Sequence, residues 1–251
     1  AAGVATATAI AQYVSAGLIL IHLLRRKDEC RVSLKDIRFH RHAAISILML
    51  GIPAGIQNAI FAIANLFVQT GVNSFDTVMV SGSTAATNAD TLIFNVMYAF
   101  YTGCSSFMSQ NYGAGNKKRV LKSYFISLFY SFTTGLILGL LLFIFGHQFM
   151  SLFATDAAVI DAGMQRIKIM AFSYCVSAFM DCTIAASRGL GKTVIPTIII
   201  ILGSCVFRIV WIYTIFAWIH TIPALFLLYL FSWIITSIAE IIYFIIIYRK
   251  L

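Results

Sequence analysis

Asn58, Asn65 and Gln69 follow one another at intervals of seven and four residues inside an otherwise apolar stretch. At about 100° per helical residue, that spacing keeps three amides on one narrow stripe. The next apolar stretch carries Thr84, Asn88, Thr91, Asn95, Tyr98, Thr102, Ser106 and Ser109 at intervals of three and four, again a single helical face. Groups of this kind hydrogen-bond polar molecules; they do not break bonds. Amides and hydroxyls also join helices inside a membrane, and for any one residue that is the simpler account. For a stripe that runs most of a span, a hydrated cavity accounts better for the pattern, because neither face can look at lipid.

Three ionisable residues lie deep within apolar runs: Asp181, Arg208 and Glu240. Charges at membrane depth are costly enough that a role is the default reading. Counting a rise of about 1.5 Å per residue from the nearest flanking charge puts Asp181 roughly 10 Å in, Glu240 roughly 13 Å and Arg208 roughly 24 Å. The two carboxylates thus share a level that the stem of Arg208 can approach. An internal ion pair holding helices together competes with a cation or proton site. Asp90 falls off the Asn95 stripe, about 30 Å from the nearest basic turn, and reads as an outer-boundary residue.

Catalytic patterns are not found. There is no nucleophile–base pairing, phosphate-binding loop, Asp-rich metal motif or HExxH, so the sequence does not read as an enzyme. Cysteines 30, 104, 175, 182 and 205 form no CxxC pair, and four of them lie inside apolar runs as small fillers. His40 and His42 point to different faces of a helix, and no metal site is expected.

The elements that carry these residues are membrane spans. With 60% hydrophobic and only 11% charged residues and a mean hydropathy of +0.90, the composition lies far from that of a water-soluble domain. Seven apolar runs, roughly 1–24, 43–74, 77–110, 119–147, 159–187, 193–218 and 222–248, each reach the ~20 helical residues that a hydrocarbon core requires. Fifteen of the eighteen basic residues fall at every second gap. They are Arg25, Arg26, Lys27, Arg31, Lys35, Arg38 and Arg41; Lys117, Lys118, Arg119 and Lys122; Arg188 and Lys192; and Arg249 and Lys250. The other gaps hold Asp76, Asp156, Asp161 and the uncharged turn around His220, with Arg166 and Lys168 discordant. This alternation makes the basic loops and the C-terminus cytoplasmic, and explains the net charge of +9 without nucleic acid.

Glycine and proline punctuate the runs. Gly113 and Gly115 suit the positive φ that stops a helix, and Asn116 suits the cap of the next. Pro53 is expected to kink the second run and free a carbonyl, either as a tolerated bend or as part of a moving element. Pro196 and Pro223 mark helix starts, and Gly135 with Gly139 forms a small-residue packing contact. The chain opens at Ala1 inside an apolar run, which reads as the interior of a longer protein.

These pieces resemble the multidrug and toxic compound extrusion (MATE) family. The stretches that carry the resemblance are PAGIQNAIF and NLFVQTGVNSF, SFMSQNYGAGNKKRV, SRGLGKTVIP, CVFRIVWIYTIF and FSWIITS. The resemblance implies an all-α, polytopic transmembrane helix bundle: residues 1–24 ending the N-terminal lobe, 25–42 a cytoplasmic linker, and 43–251 a six-helix C-terminal lobe, with the N-terminal lobe missing. It also implies a multi-pass antiporter of the cell membrane that expels organic cations or other amphipathic compounds in exchange for Na+ or H+. No cofactor is implied beyond that ion; the partners are membrane lipids and a small-molecule substrate. Gln57, Asn58, Asn65, Gln69, Asn95 and Tyr98 would line the cavity, with Asp181, Arg208 and Glu240 tuning packing or ion response. The loop motifs contribute Gln110, Asn111, Gly113 and Gly115, then Arg188, Gly189 and Gly191. In the NorM-like branch a glutamate stands eight residues after the proline, where this chain has Phe61, and the aspartate of that branch lies about one turn from Asp181. The pattern is closer to the DinF-like branch, whose coupling aspartate belongs to the other lobe. A lipid-linked oligosaccharide flippase is the alternative within transport, and an integral-membrane lipid-modifying enzyme the alternative outside it.

Overall fold

A computed structural model describes residues 2–28, 31–33 and 38–251; Cys30 and Lys35 lie outside them. Among the described residues the fold is all-α, with no strand. The helices are α1 (Ala2–Arg25), α2 (Arg41–Val72), α3 (Thr77–Gly113), α4 (Lys117–Met150), α5 (Ala157–Gly189), α6 (Val194–Phe216) and α7 (Ile222–Lys250). They follow the seven apolar runs to within a few residues. Six are long and apolar enough to cross a membrane; the exception among the described residues is α3, whose polar stripe lowers its hydropathy although it has 37 residues.

Side-chain caps set the starts. Asp76 accepts from the Met79 amide (2.8 Å), Asn116 from Arg119 (3.1 Å), Asp156 from Ala158 (3.0 Å) and Thr221 from Ala224 (3.4 Å). Pro223 sits in the first turn of α7, as expected of a start. Gly115 takes φ +69° and Gly191 φ +74°. Gly113 does not: it remains the last helical residue of α3, because one glycine in the left-handed region suffices to turn the chain.

Two compact units divide between Ile47 and Leu48. In the first, α1 is followed by Arg26 bound to Asp28, and the Val32 amide donates to the Leu23 carbonyl (3.2 Å). In the second, α3, α4 and α7 pack around α5, the most deeply buried helix. Close approach comes from small residues: a Cβ on Gly139 of α4 would strike the Ala171 carbonyl oxygen of α5, and one on Gly135 would lie 3.3 Å from the Cys175 backbone. By contrast, the α2 backbone stands off from its neighbours and is joined to them through side chains.

Proline consequences are local. Without an amide hydrogen, Pro53 leaves the Met49 carbonyl unbonded within α2. The Thr193 hydroxyl donates to that carbonyl at 3.3 Å. Helix α6 is not uniform either: Ile201–Val206 and Ile212–Phe216 are π-helical and flank the α-helical turn Phe207–Trp211, which carries Arg208.

Candidate functional site

Because α2 stands off, space remains between it and the packed helices. A larger cavity of about 520 Å³ is lined by Asn65 and Gln69 of α2, Asn95 of α3 and Arg208 of α6, with Phe94 and Trp233 among its walls. A smaller one of about 390 Å³ is lined by Gln57 and Asn58, Tyr98 and Thr102, and Arg188. Phe94 and Asp181 line both. The amides of the two stripes therefore converge on two spaces that share a wall.

The hydrogen bonds of the α3 stripe stay within α3. Thr84 donates to Val80, Thr91 to Thr87 and Thr102 to Tyr98, all on their own helix. The side chains of Asn95 and Tyr98 have no hydrogen-bond partner among the described residues, and both residues are exposed. On α2, Gln69 donates to Asn73 (2.9 Å). Asn65 accepts from Arg208 Nη1 (3.2 Å), and Gln57 accepts from Arg188 Nη2 (2.7 Å) and the Thr197 hydroxyl (3.4 Å). Cross-helix bonds thus come from arginines and a threonine reaching to α2, while the α3 face is left free.

Charge pairing differs from the sequence expectation. Asp181, Arg208 and Glu240 form no ion pair within 4 Å among the described residues. Counting residues gave their depth but not the direction in which each points. Arg208 is 2% exposed, with Nε toward Ser232 (3.3 Å) and Cζ over the rings of Tyr229 and Phe61, 4.5 and 5.4 Å from their centres. The position where the NorM-like branch has a glutamate is thus an aromatic lid on a guanidinium. Glu240 lines neither cavity; it is fully buried, and neither carboxylate oxygen has a hydrogen-bond partner.

The buried ion pair is elsewhere. Asp90, expected at the outer boundary, is buried and accepts from Arg166 and from the Tyr174 hydroxyl. Arg166 also donates to the Ser83 carbonyl (3.1 Å) and hydroxyl (2.8 Å) and to Thr87 (3.1 Å), and lies over Phe226. Asp90 and Arg166 both line the larger cavity. Their sequence signal was that each broke a rule: Asp90 left the polar stripe and Arg166 broke the charge alternation.

The loop-motif residues mostly build turns. Asn111 donates to Phe107 (2.7 Å) and Ser123 (3.3 Å), Gln110 to Ser106 (3.4 Å), and Gly189 closes α5 against the Ser105 carbonyl. Arg188 is the exception, lining the smaller cavity from the last turn of α5.

Comparison with known proteins places this geometry. The MatE family model matches residues 53–214. The probable multidrug resistance protein NorM of Thermotoga maritima is 25% identical over 207 residues, 78% of this chain and 42% of that protein. The probable multidrug resistance protein YpnP of Bacillus subtilis is 30% identical over 128 residues, covering 51% and 29%. A crystal structure of MATE in complex with MaL6 superposes with a TM-score of 0.87 at 18% identity, over 98% of this chain and 56% of that one. The chain thus spans about half the length of the relatives it matches.

Proposed function

The chain belongs to the MatE family, and from that premise we propose that it is the C-terminal lobe of a multi-pass antiporter in the cell membrane. The transporter exports amphipathic compounds, organic cations among them, in exchange for Na+ or H+ by alternating access. The observation that carries this reading is the pair of adjoining cavities, walled by amides, hydroxyls and aromatic rings, with the Asn95 amide and Tyr98 hydroxyl unbonded among the described residues, and sharing Phe94 and Asp181. Loose polar contacts and π faces accept many flat molecules, whereas a site built for one substrate would saturate its donors and acceptors. Residues 1–24 end the other lobe in this reading, 25–42 link the two, and the basic turns and the C-terminus face the cytoplasm.

Two experiments test it in the full-length protein. Single cysteines at positions 58, 65, 69, 95 and 98 are expected to react with a water-borne thiol reagent; protection of all five refutes the cavity. Accumulation of a fluorescent dye in efflux-deficient cells, with sodium and proton gradients collapsed separately, then identifies the coupling ion. Asn95→Leu is expected to reduce extrusion while the protein stays in the membrane.

A further inference from the structure

The larger cavity contains two arginines in opposite situations. Arg166 is neutralised by Asp90. Arg208 has no ion-pair partner among the described residues: its bonds go to the neutral oxygens of Ser232 and Asn65, its Cζ lies over the Tyr229 and Phe61 rings, and its Nη2 has no hydrogen-bond partner there. Asp181, the other carboxylate on this cavity, lies beyond ion-pair distance. An uncompensated charge this deep in an apolar bundle is expensive to keep.

We propose that Arg208 is the receptor for an oxyanion carried by the substrate. The compounds handled at this cavity then bear a carboxylate or phosphate beside a flat aromatic body. The aromatic clamp holds the guanidinium plane in place before binding, so little side-chain entropy is lost when an acid docks. A planar fork with a free donor edge matches an oxyanion better than it matches any neutral group. Phe94 and Trp233, on the same cavity, offer faces for the aromatic body. Asp181, at the junction with the smaller cavity, leaves a place for a basic group. A zwitterion fits, and a cation with no acid is the disfavoured class. This inference rests on the transport reading and narrows its substrate.

The test compares a zwitterionic rhodamine bearing a free carboxylate with its cationic methyl ester, on the full-length protein in neutral detergent. One charge-assisted hydrogen bond contributes about 1.5–3 kcal/mol, so the free acid is expected to bind at least about tenfold tighter than the ester. Arg208→Gln should abolish that preference and Arg208→Lys should retain part of it, each checked for wild-type melting and membrane abundance. Equal binding of acid and ester by the wild type overturns the proposal, as does a preference that survives in a folded Arg208→Gln protein. Displacement of the acid by phosphatidylglycerol and not by phosphatidylcholine would assign the anion to a lipid headgroup and overturn the substrate assignment. Reconstitution separates the two readings. Arg208-dependent binding without transport of either dye would sink the transporter; transport of both without preference would sink the anion site alone.

Discussion

Replacing Asp90 with Asn removes one charge from the buried network on the larger cavity and leaves Arg166 without its counter-ion. Both partners of Asp90 are largely buried, so water replaces it poorly: Arg166 is 8% exposed and Tyr174 0%. Breaking such a pair by deleting one partner costs about 3–5 kcal/mol. Arg166 keeps its bonds to Ser83 and Thr87, which places the expected loss at the lower end, about 3 kcal/mol. At about 2–4 °C per kcal/mol for a domain of this size, the melting temperature should fall by roughly 6–12 °C. A thiol-reactive dye can follow the transition, since Cys104, Cys175, Cys182 and Cys205 are buried when folded. The decisive comparison is Asp90→Leu with Arg166→Met in one protein. Replacing both charges by apolar groups removes the unpaired ion, so the double variant should melt close to wild type. A single variant within about 2 °C of wild type, or a double variant whose loss is the sum of the two singles, would refute the reasoning.

Four further outcomes follow from local geometry, each read by the same melting assay. Gly139→Ala should destabilise, because the added Cβ meets the Ala171 backbone and forces α4 away from α5, at a cost of about 1–3 kcal/mol. Gly103→Ala, with nothing within 4 Å of the new methyl, should be neutral or slightly stabilising. Thr193→Val should cost about 1 kcal/mol by orphaning the Met49 carbonyl, and that cost should vanish when Pro53→Ala returns an amide hydrogen to α2. Glu240→Met should raise stability, since it removes a fully buried carboxylate with no hydrogen-bond partner; a fall in melting temperature would show that the carboxylate is compensated.

The helices were legible because each apolar run reaches a bare span and four of the gaps hold a capping side chain, Asp76, Asn116, Asp156 and Thr221. Asp76, Asp156 and Asn116 were visible as loop residues, and two of the three drew attention first through charge. The ion-pair network was not legible in the same way. Asp90 and Arg166 lie 76 positions apart on helices that run side by side, and each was measured against a one-dimensional pattern that it failed. Two opposite charges that each offend a pattern at matching depth are candidates for each other, and that inference was available from the chain alone. Glu240 shows the reverse error. Rise per residue gave it a level shared with Asp181, but a level without an azimuth does not make a pair.

Helix α6 explains why Arg208 in particular resisted prediction. A count of 100° per residue gives side-chain direction only in a regular α-helix, and a π-helical stretch, with its i→i+5 bonds, shifts every later residue off that count. Arg208 follows one such stretch and precedes another. Helix α7 bonds to the first stretch through Ser204 to Thr236 (2.9 Å) and to the α-helical turn through the Trp211 indole to the Ala224 carbonyl (2.8 Å). The displaced side chain is therefore directed toward α2, where it meets Asn65. At its far end α2 is fixed by apolar contact, Val68 and Val72 packing with Ile212, Phe216 and Leu225. Along the rest of its length it is joined by exchangeable polar bonds, from Thr193 to Met49, Arg188 to Gln57 and Arg208 to Asn65. Polar bonds that water or a ligand can replace cost little net free energy to trade, whereas an apolar cluster must be re-exposed to part. Among the described residues α2 is thus the helix joined to this lobe mainly by replaceable bonds, and under the proposed reading a substrate acid that takes the Arg208 fork competes directly with one of them.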